Sequence, residues 1–303
     1  MRVVSLLPSA TEIVYRLGAG SVLVGRSAEC DYPPAVIDLP VVMHARRLDS
    51  ESPSGTIDER VRAVRGAGES LYELDHDRLL ELRPDVILTQ DLCGVCSVTE
   101  EEVRSACRRA GLDPAIIALT PRDLGEVRAS IHTVGRALGI EPAAERLVEE
   151  LSVREKRRSH PHGERHPTVA IVEWLDPPIL AGLWAPDQVA LAGGRPVGGV
   201  RSGEVGVRTS WDRLIGSEPD LVVLTPCSFS VERTFRELGH PPTAQALRAL
   251  RCPIWIADEA YFSRPGPRLW DGLELLRDLV SRVPPRAPFP VRPWPREIPE
   301  TAA

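Results

Sequence analysis

Lysine is almost missing from this 303-residue chain: Lys156 stands alone, and 37 basic residues face 43 acidic ones for a formal charge of -6. No basic stripe exists to neutralise a nucleic-acid backbone, so nucleic-acid partners are set aside. Aromatic residues are scarce at 5%, and any place where they gather therefore carries weight. No apolar run has the length of a membrane span, and membrane insertion is not expected. The patterns G-x-x-x-x-G-K-[ST], G-x-S-x-G and H-E-x-x-H are all absent. That removes the commonest phosphate, acyl-transfer and zinc-protease signatures. No catalytic residue is named, and binding rather than catalysis is the expected role.

The chain also opens without a secretory pattern: Met1-Arg2 runs straight into Val3-Val4-Ser5-Leu6-Leu7 and Pro8. That reads as a first strand, which makes a cytoplasmic location the expectation, with a periplasmic or surface one if a leader was trimmed. Six cysteines (Cys30, Cys93, Cys96, Cys107, Cys227, Cys252) in a reducing compartment would be thiols, metal ligands or redox groups.

What is present is ordinary globular material, 43% hydrophobic and 26% charged, and one statement made twice. Arg83-Pro84-Asp85-Val86-Ile87-Leu88-Thr89 leads to Cys93, and Glu218-Pro219-Asp220-Leu221-Val222-Val223-Leu224-Thr225 leads to Cys227. Each reads as a helix stopped by proline, an Asp at the turn, then a strand buried on both faces of a parallel sheet. Two α/β lobes with Rossmann-like parallel sheets follow. The first covers 1–119, with capping boxes at Ser9/Glu12 and Thr99/Glu102. A helical spine covers 120–159, opening at Thr120-Pro121 and breaking at Gly139–Pro142. The second lobe covers 160–283, and 284–303 is a Pro-rich tail without periodicity.

In parallel sheets ligands gather at the carboxyl ends of the strands. If the lobes face each other across a cleft, its lining comes from Pro8, Ser9 and Tyr32 in the first lobe. Trp174, Trp184, Phe229, Asp258, Tyr261, Phe262 and Arg264 line it from the second. Such walls suit a large, flat, partly apolar ligand. Cys93 and Cys96 form a C-x-x-C that can grip a metal or act as a redox dithiol. With Cys30 and Cys227 they would make a four-thiolate set for Zn or an iron–sulfur cluster. Cys107 and Cys252 read as packing residues. His160, His162 and His166 lie in a Pro-rich linker with no scaffold to aim them.

Residues 2–282 resemble the helical-backbone, class III substrate-binding proteins of ABC importers, the cobalamin and iron-siderophore receptors, and most of all the cobalamin branch. The resemblance rests on Val3-Val4-Ser5-Leu6-Leu7-Pro8-Ser9-Ala10-Thr11-Glu12, Val24-Gly25 with Asp31-Tyr32-Pro33, Leu82-Arg83-Pro84-Asp85-Val86-Ile87, the spine, and Asp258 with Phe262-Ser263-Arg264-Pro265-Gly266-Pro267-Arg268. It implies two lobes joined by a long helix, a ligand in the cleft and no catalysis. It also implies that Tyr32, Trp174, Phe262 and Arg264 touch a corrin ring or its amides, and that Asp77 stands where an acid docks the first lobe on a permease. Three departures stand out: a leader is missing, Asp replaces Glu at that position, and the cleft is rich in cysteine. The expected function is a non-catalytic corrinoid carrier or salvage factor, with a metal or redox centre and a siderophore-binding importer component as alternatives.

Overall fold

The computed structural model describes residues 1–46, 51–90, 98–157, 166–239, 241–286 and 290–295. Its strands are β1 (Val3–Ser5), β2 (Leu23–Ser27), β3 (Val41–Ala45), β4 (Tyr72–Leu74), β5 (Val86–Thr89), β6 (Ala115–Ala118), β7 (Thr168–Leu175), β8 (Pro178–Leu180), β9 (Arg195–Pro196), β10 (Val207–Arg208), β11 (Leu221–Leu224), β12 (Ile254–Ala257) and β13 (Val291–Pro293). Its α-helices are α1 (Pro8–Arg16), α2 (Ser54–Gly66), α3 (His76–Leu82), α4 (Glu100–Arg109), α5 (Leu124–Leu138), α6 (Glu141–Lys156), α7 (Ala185–Leu191), α8 (Trp211–Gly216), α9 (Val231–Glu237), α10 (Pro241–Ala249) and α11 (Leu269–Val280). The chain divides into two compact units, one of Met1–Ser52, Thr56–Lys156 and Pro265–Pro267, the other of Pro53–Gly55, Arg157–Arg264 and Arg268–Ala303.

In the first unit the strand order is β4-β3-β2-β1-β5-β6, parallel except for β4. The chain winds outward from β1 in both directions, so the carboxyl ends of β1 and β5 form the switch point where such sheets collect ligands. Val86 to Thr89 are all buried, as expected for a strand covered on both faces. The core joins Val4, Leu6, Met43 and Ile87 of the sheet to Leu79, Val103 and Cys107 of the helices. In the second unit the order is β10-β8-β7-β11-β12-β13, with β7, β11 and β12 parallel, and its core runs from Val172, Val222 and Ile256 to Leu214, Leu247 and Trp294.

The duplicated Pro-Asp signature has one physical meaning in both units. Asp85 accepts a hydrogen bond from the Arg2 backbone N–H at 2.6 Å, and the Asp85 N–H donates to the Arg2 carbonyl at 2.8 Å. Asp220 accepts from the Thr168 N–H at 2.8 Å and from the Thr168 hydroxyl at 2.9 Å, while its own N–H donates to the Thr168 carbonyl at 2.9 Å. Each Asp thereby pins the start of the neighbouring strand and sets the pairing Val3↔Val86 or Val169↔Leu221. The residue before each proline, Arg83 or Glu218, takes a left-handed turn at φ 42° or 47°, a conformation that costs a non-glycine residue energy.

Several elements differ from the sequence expectation. Thr99 forms the capping box with Glu102, but Ser9 lies inside α1, whose N-cap is Leu7. Pro8 explains the shift, because its fixed φ and missing N–H suit the first helical position. Likewise Asp123, not Thr120, caps α5 by accepting from the Glu126 N–H. The helical segment does break at Gly139, which has φ 69°. Its halves fold back on one another: Gly135 meets Ala144 near the turn, and Arg128 pairs with Glu155 at the far end. The connecting helix is thus α6, backed by an antiparallel partner. Part of the tail forms β13, an edge strand on β12. Prolines are tolerated at an edge, since no partner needs their missing N–H. The residues 47–50 of the polar excursion, together with His160, His162 and His240, lie outside the described residues.

Asp220→Ala removes two hydrogen bonds from a half-buried carboxylate and is expected to lower unfolding stability by about 1–3 kcal/mol. Urea denaturation measures it, and Asp220→Asn should recover part of the loss.

Candidate functional site

The carboxyl-end loops of the first unit are held from behind. Arg26 is buried, and its guanidinium donates to the carbonyls of Ser27, Ala28, Cys30 and Ile37 at 3.0–3.3 Å. One side chain so fixes the loop that carries Tyr32, which stands 46% exposed. Pro8 is half-buried and Ser9 buried at the start of α1. Beside them the Thr11 hydroxyl lies 2.9 Å from Ser5 Oγ and 3.1 Å from Cys30 Sγ, in a closed polar knot.

In the second unit Trp174, half-buried near the end of β7, packs its ring against Phe229 with centroids 5.5 Å apart. The Arg233 guanidinium sits 4.3 Å over the Phe229 ring, a cation–π contact, and pairs with Glu237 at 3.1 Å. Glu237 in turn accepts from the Ser54 N–H at 2.8 Å and the Ser54 hydroxyl at 2.7 Å. Burial pushes the Glu237 carboxyl up, but the Ser54 donors and the Arg233 guanidinium outweigh it and hold the group below its ordinary value. The indole N–H of Trp174 is buried and has no acceptor among the described residues.

The loop after β12 is fastened by α7. Trp184 donates its indole N–H to the Phe262 carbonyl, and Gln188, one turn later, donates to the carbonyls of Tyr261 and Leu269 at 3.0 and 2.8 Å. A Cβ on Gly272 would stand 2.1 Å from the Tyr261 carbonyl oxygen, so only glycine lets α11 approach this turn. Asp258 accepts from the Ala260 N–H at 2.9 Å. Arg264 pairs with the buried Glu259 at 2.7 Å. Trp184, Phe229 and Phe262 are only 2–4% exposed, whereas Trp174, Tyr261 and Arg264 are partly open.

Cys30 is wholly buried in the first unit beside Thr11, and Cys227 in the second lies 3.5 Å from the Ser263 hydroxyl. Cys93 and Cys96 fall outside the described residues. Among the described residues no group of three His, Cys, Asp or Glu is placed to hold a metal ion, so the expectation of Zn or an iron–sulfur cluster finds no support there. Cys107 and Cys252 are buried, and burial pushes the Cys107 thiol up, which suits a packing role. Sequence reasoning missed Gln188, Arg233 and Glu237. The Trp184/Gln188 and Arg233/Glu237 spacings of four, one helical turn, are the signal that could have found them.

The fold is that of the class III substrate-binding proteins. A periplasmic heme binding protein from Pseudomonas aeruginosa superposes with a TM-score of 0.70 at 21% identity, covering 94% of this chain and 95% of that one. A periplasmic vitamin B12 binding protein of Vibrio cholerae gives 0.58 at 18% identity, over 93% and 96%. In sequence, an uncharacterized ABC transporter substrate-binding lipoprotein of Bacillus subtilis is 23% identical over 92% of this chain and 79% of its own length. A vitamin B12-binding protein of Pectobacterium atrosepticum is 23% identical over 88% and 84%. No protein-family model matches the chain. The Bacillus subtilis relative is a lipoprotein and the two solved structures are of periplasmic proteins, which overturns the cytoplasmic expectation and points outside the cytoplasm.

Two expected outcomes follow from this geometry. Because the folded Glu237 pKa is depressed, its contribution to stability is present above the ordinary value of 4.5 and is lost as pH falls through the folded pKa. Denaturant midpoints should therefore show Glu237→Gln less stable than the parent at neutral pH, with the gap closing on acidification. Gly272→Ala should lower stability by about 1–3 kcal/mol, the usual size of an overpacking defect, as read by thermal unfolding.

Proposed function

We propose that this chain is the extracytoplasmic ligand-capturing component of an ABC importer and that its ligand is a corrinoid. The importer role is supported by near full-length similarity to a substrate-binding lipoprotein and to vitamin B12-binding proteins. No helix among the described residues is long and apolar enough to cross a membrane, and the permease is proposed as a separate partner. Asp77, exposed in the first turn of α3, is the acid proposed to dock on it.

The observation that carries the ligand class is how the cations near the carboxyl-end loops are used. Arg264 is matched by Glu259, Arg233 by Glu237, and Arg26 is committed to loop carbonyls. An anionic chelate would have to break these pairs, whereas a corrinoid offers neutral amide side chains. The buried Trp174 N–H is a donor in want of an acceptor, and an amide carbonyl supplies one. Tyr32, Trp174 and Tyr261 are then contact residues, with Pro8, Ser9 and Asp258 at the loop starts. Trp184, Phe229 and Phe262 support them from behind, and Arg264 presents its edge to amide oxygens. Haem is the second reading, favoured by the Pseudomonas aeruginosa superposition.

Titration with cyanocobalamin, haemin and a ferric hydroxamate, followed by tryptophan quenching and visible absorption, tests the proposal. Saturable cyanocobalamin binding is expected, and Trp174→Ala should weaken it by about 1–3 kcal/mol. Haemin binding with no response to cyanocobalamin would sink the corrinoid reading.

A further inference from the structure

We propose that Arg233 is a positioning residue for the ligand loops of the second unit: acting through Phe229, it sets the pose in which the Trp174 ring stands. The groups concerned form one ladder. Trp174 packs on Phe229 at 5.5 Å with the ring planes 54° apart, the Arg233 guanidinium lies 4.3 Å over the same Phe229 ring, Arg233 pairs with Glu237, and Glu237 accepts hydrogen bonds from the Ser54 N–H and hydroxyl. Phe229, Arg233 and Glu237 follow one another at a spacing of four, which lets neighbours meet along one side of α9 and its entry. The loop that carries Phe229 is also tied to β7, since the Cys227 N–H donates to the carbonyl of Glu173, the residue before Trp174, at 3.0 Å. All of these groups belong to the second unit.

Packing alone does not call for this arrangement. Phe229, Arg233 and Glu237 are 2%, 8% and 5% exposed, and a charge pair buried so deeply gives up hydration that its mutual attraction does little more than offset. Apolar side chains of the same volume would fill the space without that penalty. What they would not supply is direction. Hydrophobic contact is non-directional, whereas a planar guanidinium that lies over a ring and still reaches a carboxylate is held to one placement. Glu237 is fixed in turn by its hydrogen bonds from Ser54. Holding Phe229 in place then holds the surface on which the Trp174 indole rests. That Trp174 meets ligand rests on the corrinoid proposal above; that Arg233 sets its pose does not.

The ligand-free protein provides the test. Arg233→Met combined with Glu237→Gln leaves neither charge of the pair without its partner and keeps an acceptor for Ser54, so the urea midpoint is expected to stay near that of the parent. The near-ultraviolet circular dichroism that Trp174 contributes, read as the difference between each protein and its Trp174→Phe counterpart, should nevertheless change. Arg233→Lys, which keeps the charge but not the flat fork, should change it as well and supplies the readout independently. Cyanocobalamin should bind the double variant about fivefold more weakly than the parent, the factor that corresponds to a cation–π contact of ordinary strength. With Trp174→Ala already in place, the same pair of substitutions should weaken binding no further. The proposal is overturned if the Trp174 difference spectrum stays that of the parent in both variants, or if the fivefold loss persists in the Trp174→Ala background. A changed spectrum together with a parent protein that takes up no cyanocobalamin upholds the positioning role and sinks the corrinoid reading alone.

Discussion

Two aspartates hold the architecture in register. A parallel strand has no hairpin to align it with its neighbour, so its pairing must be fixed by contacts at its ends. Asp85 and Asp220 do this by closing a two-way hydrogen-bonded clasp on the first residue of the adjacent strand, Arg2 or Thr168. A slip of one residue would break the clasp and turn every side chain of a fully buried strand to the other face. The left-handed residue before each proline is the cost of bringing the carboxylate back to that strand start. Once β1 is aligned with β5 and β7 with β11, the loops at their carboxyl ends arrive at fixed heights.

Those loops are then made rigid by buried donors aimed at their own backbone. A loop without regular structure leaves carbonyls unpaired, and burial makes each of them expensive. Arg26 satisfies four in the first unit, and Trp184 and Gln188 satisfy three in the second. The same residues that cap this energetic cost fix where Tyr32, Tyr261 and Arg264 stand. Loops prepared in this way would lose little conformational entropy on taking up the proposed ligand.

The legible parts of the chain were those where one local pattern decides the outcome. Val86–Thr89, Leu221–Leu224 and Ile254–Ala257 are short apolar runs after a Pro or a turn, and all are strands with the bounds that their composition suggests. Thr99 and Glu102 make a capping box because nothing competes with it. Ser9 and Glu12 have the same spacing and do not, because Pro8 moves the helix start by two residues. β13 hid inside a Pro-rich stretch because its pairing with β12 is a long-range fact that composition does not carry. The loop aromatics were visible as a set, yet the division into partly open Trp174 on β7 and buried Trp184 at the start of α7 depends on what each element packs against, and no motif records that. For the cysteines, spacing along the chain shows which thiols could meet, and it carries no sign of the knot that Cys30 makes with Thr11.

The arginine excess takes on a specific sense against this background. A guanidinium has five donors and no acceptor, so each buried one must be given carbonyls or carboxylates from somewhere. Around the ligand loops the fold supplies them internally, through Glu237, Glu259 and the carbonyls beside Arg26. In each unit that leaves loops whose positive charge is already compensated, and the corrinoid proposal rests on this feature. A lysine in any of these positions would offer a point charge without the fork that reaches several carbonyls at once. The near absence of lysine is therefore in keeping with a scaffold in which cations serve as hydrogen-bonding struts.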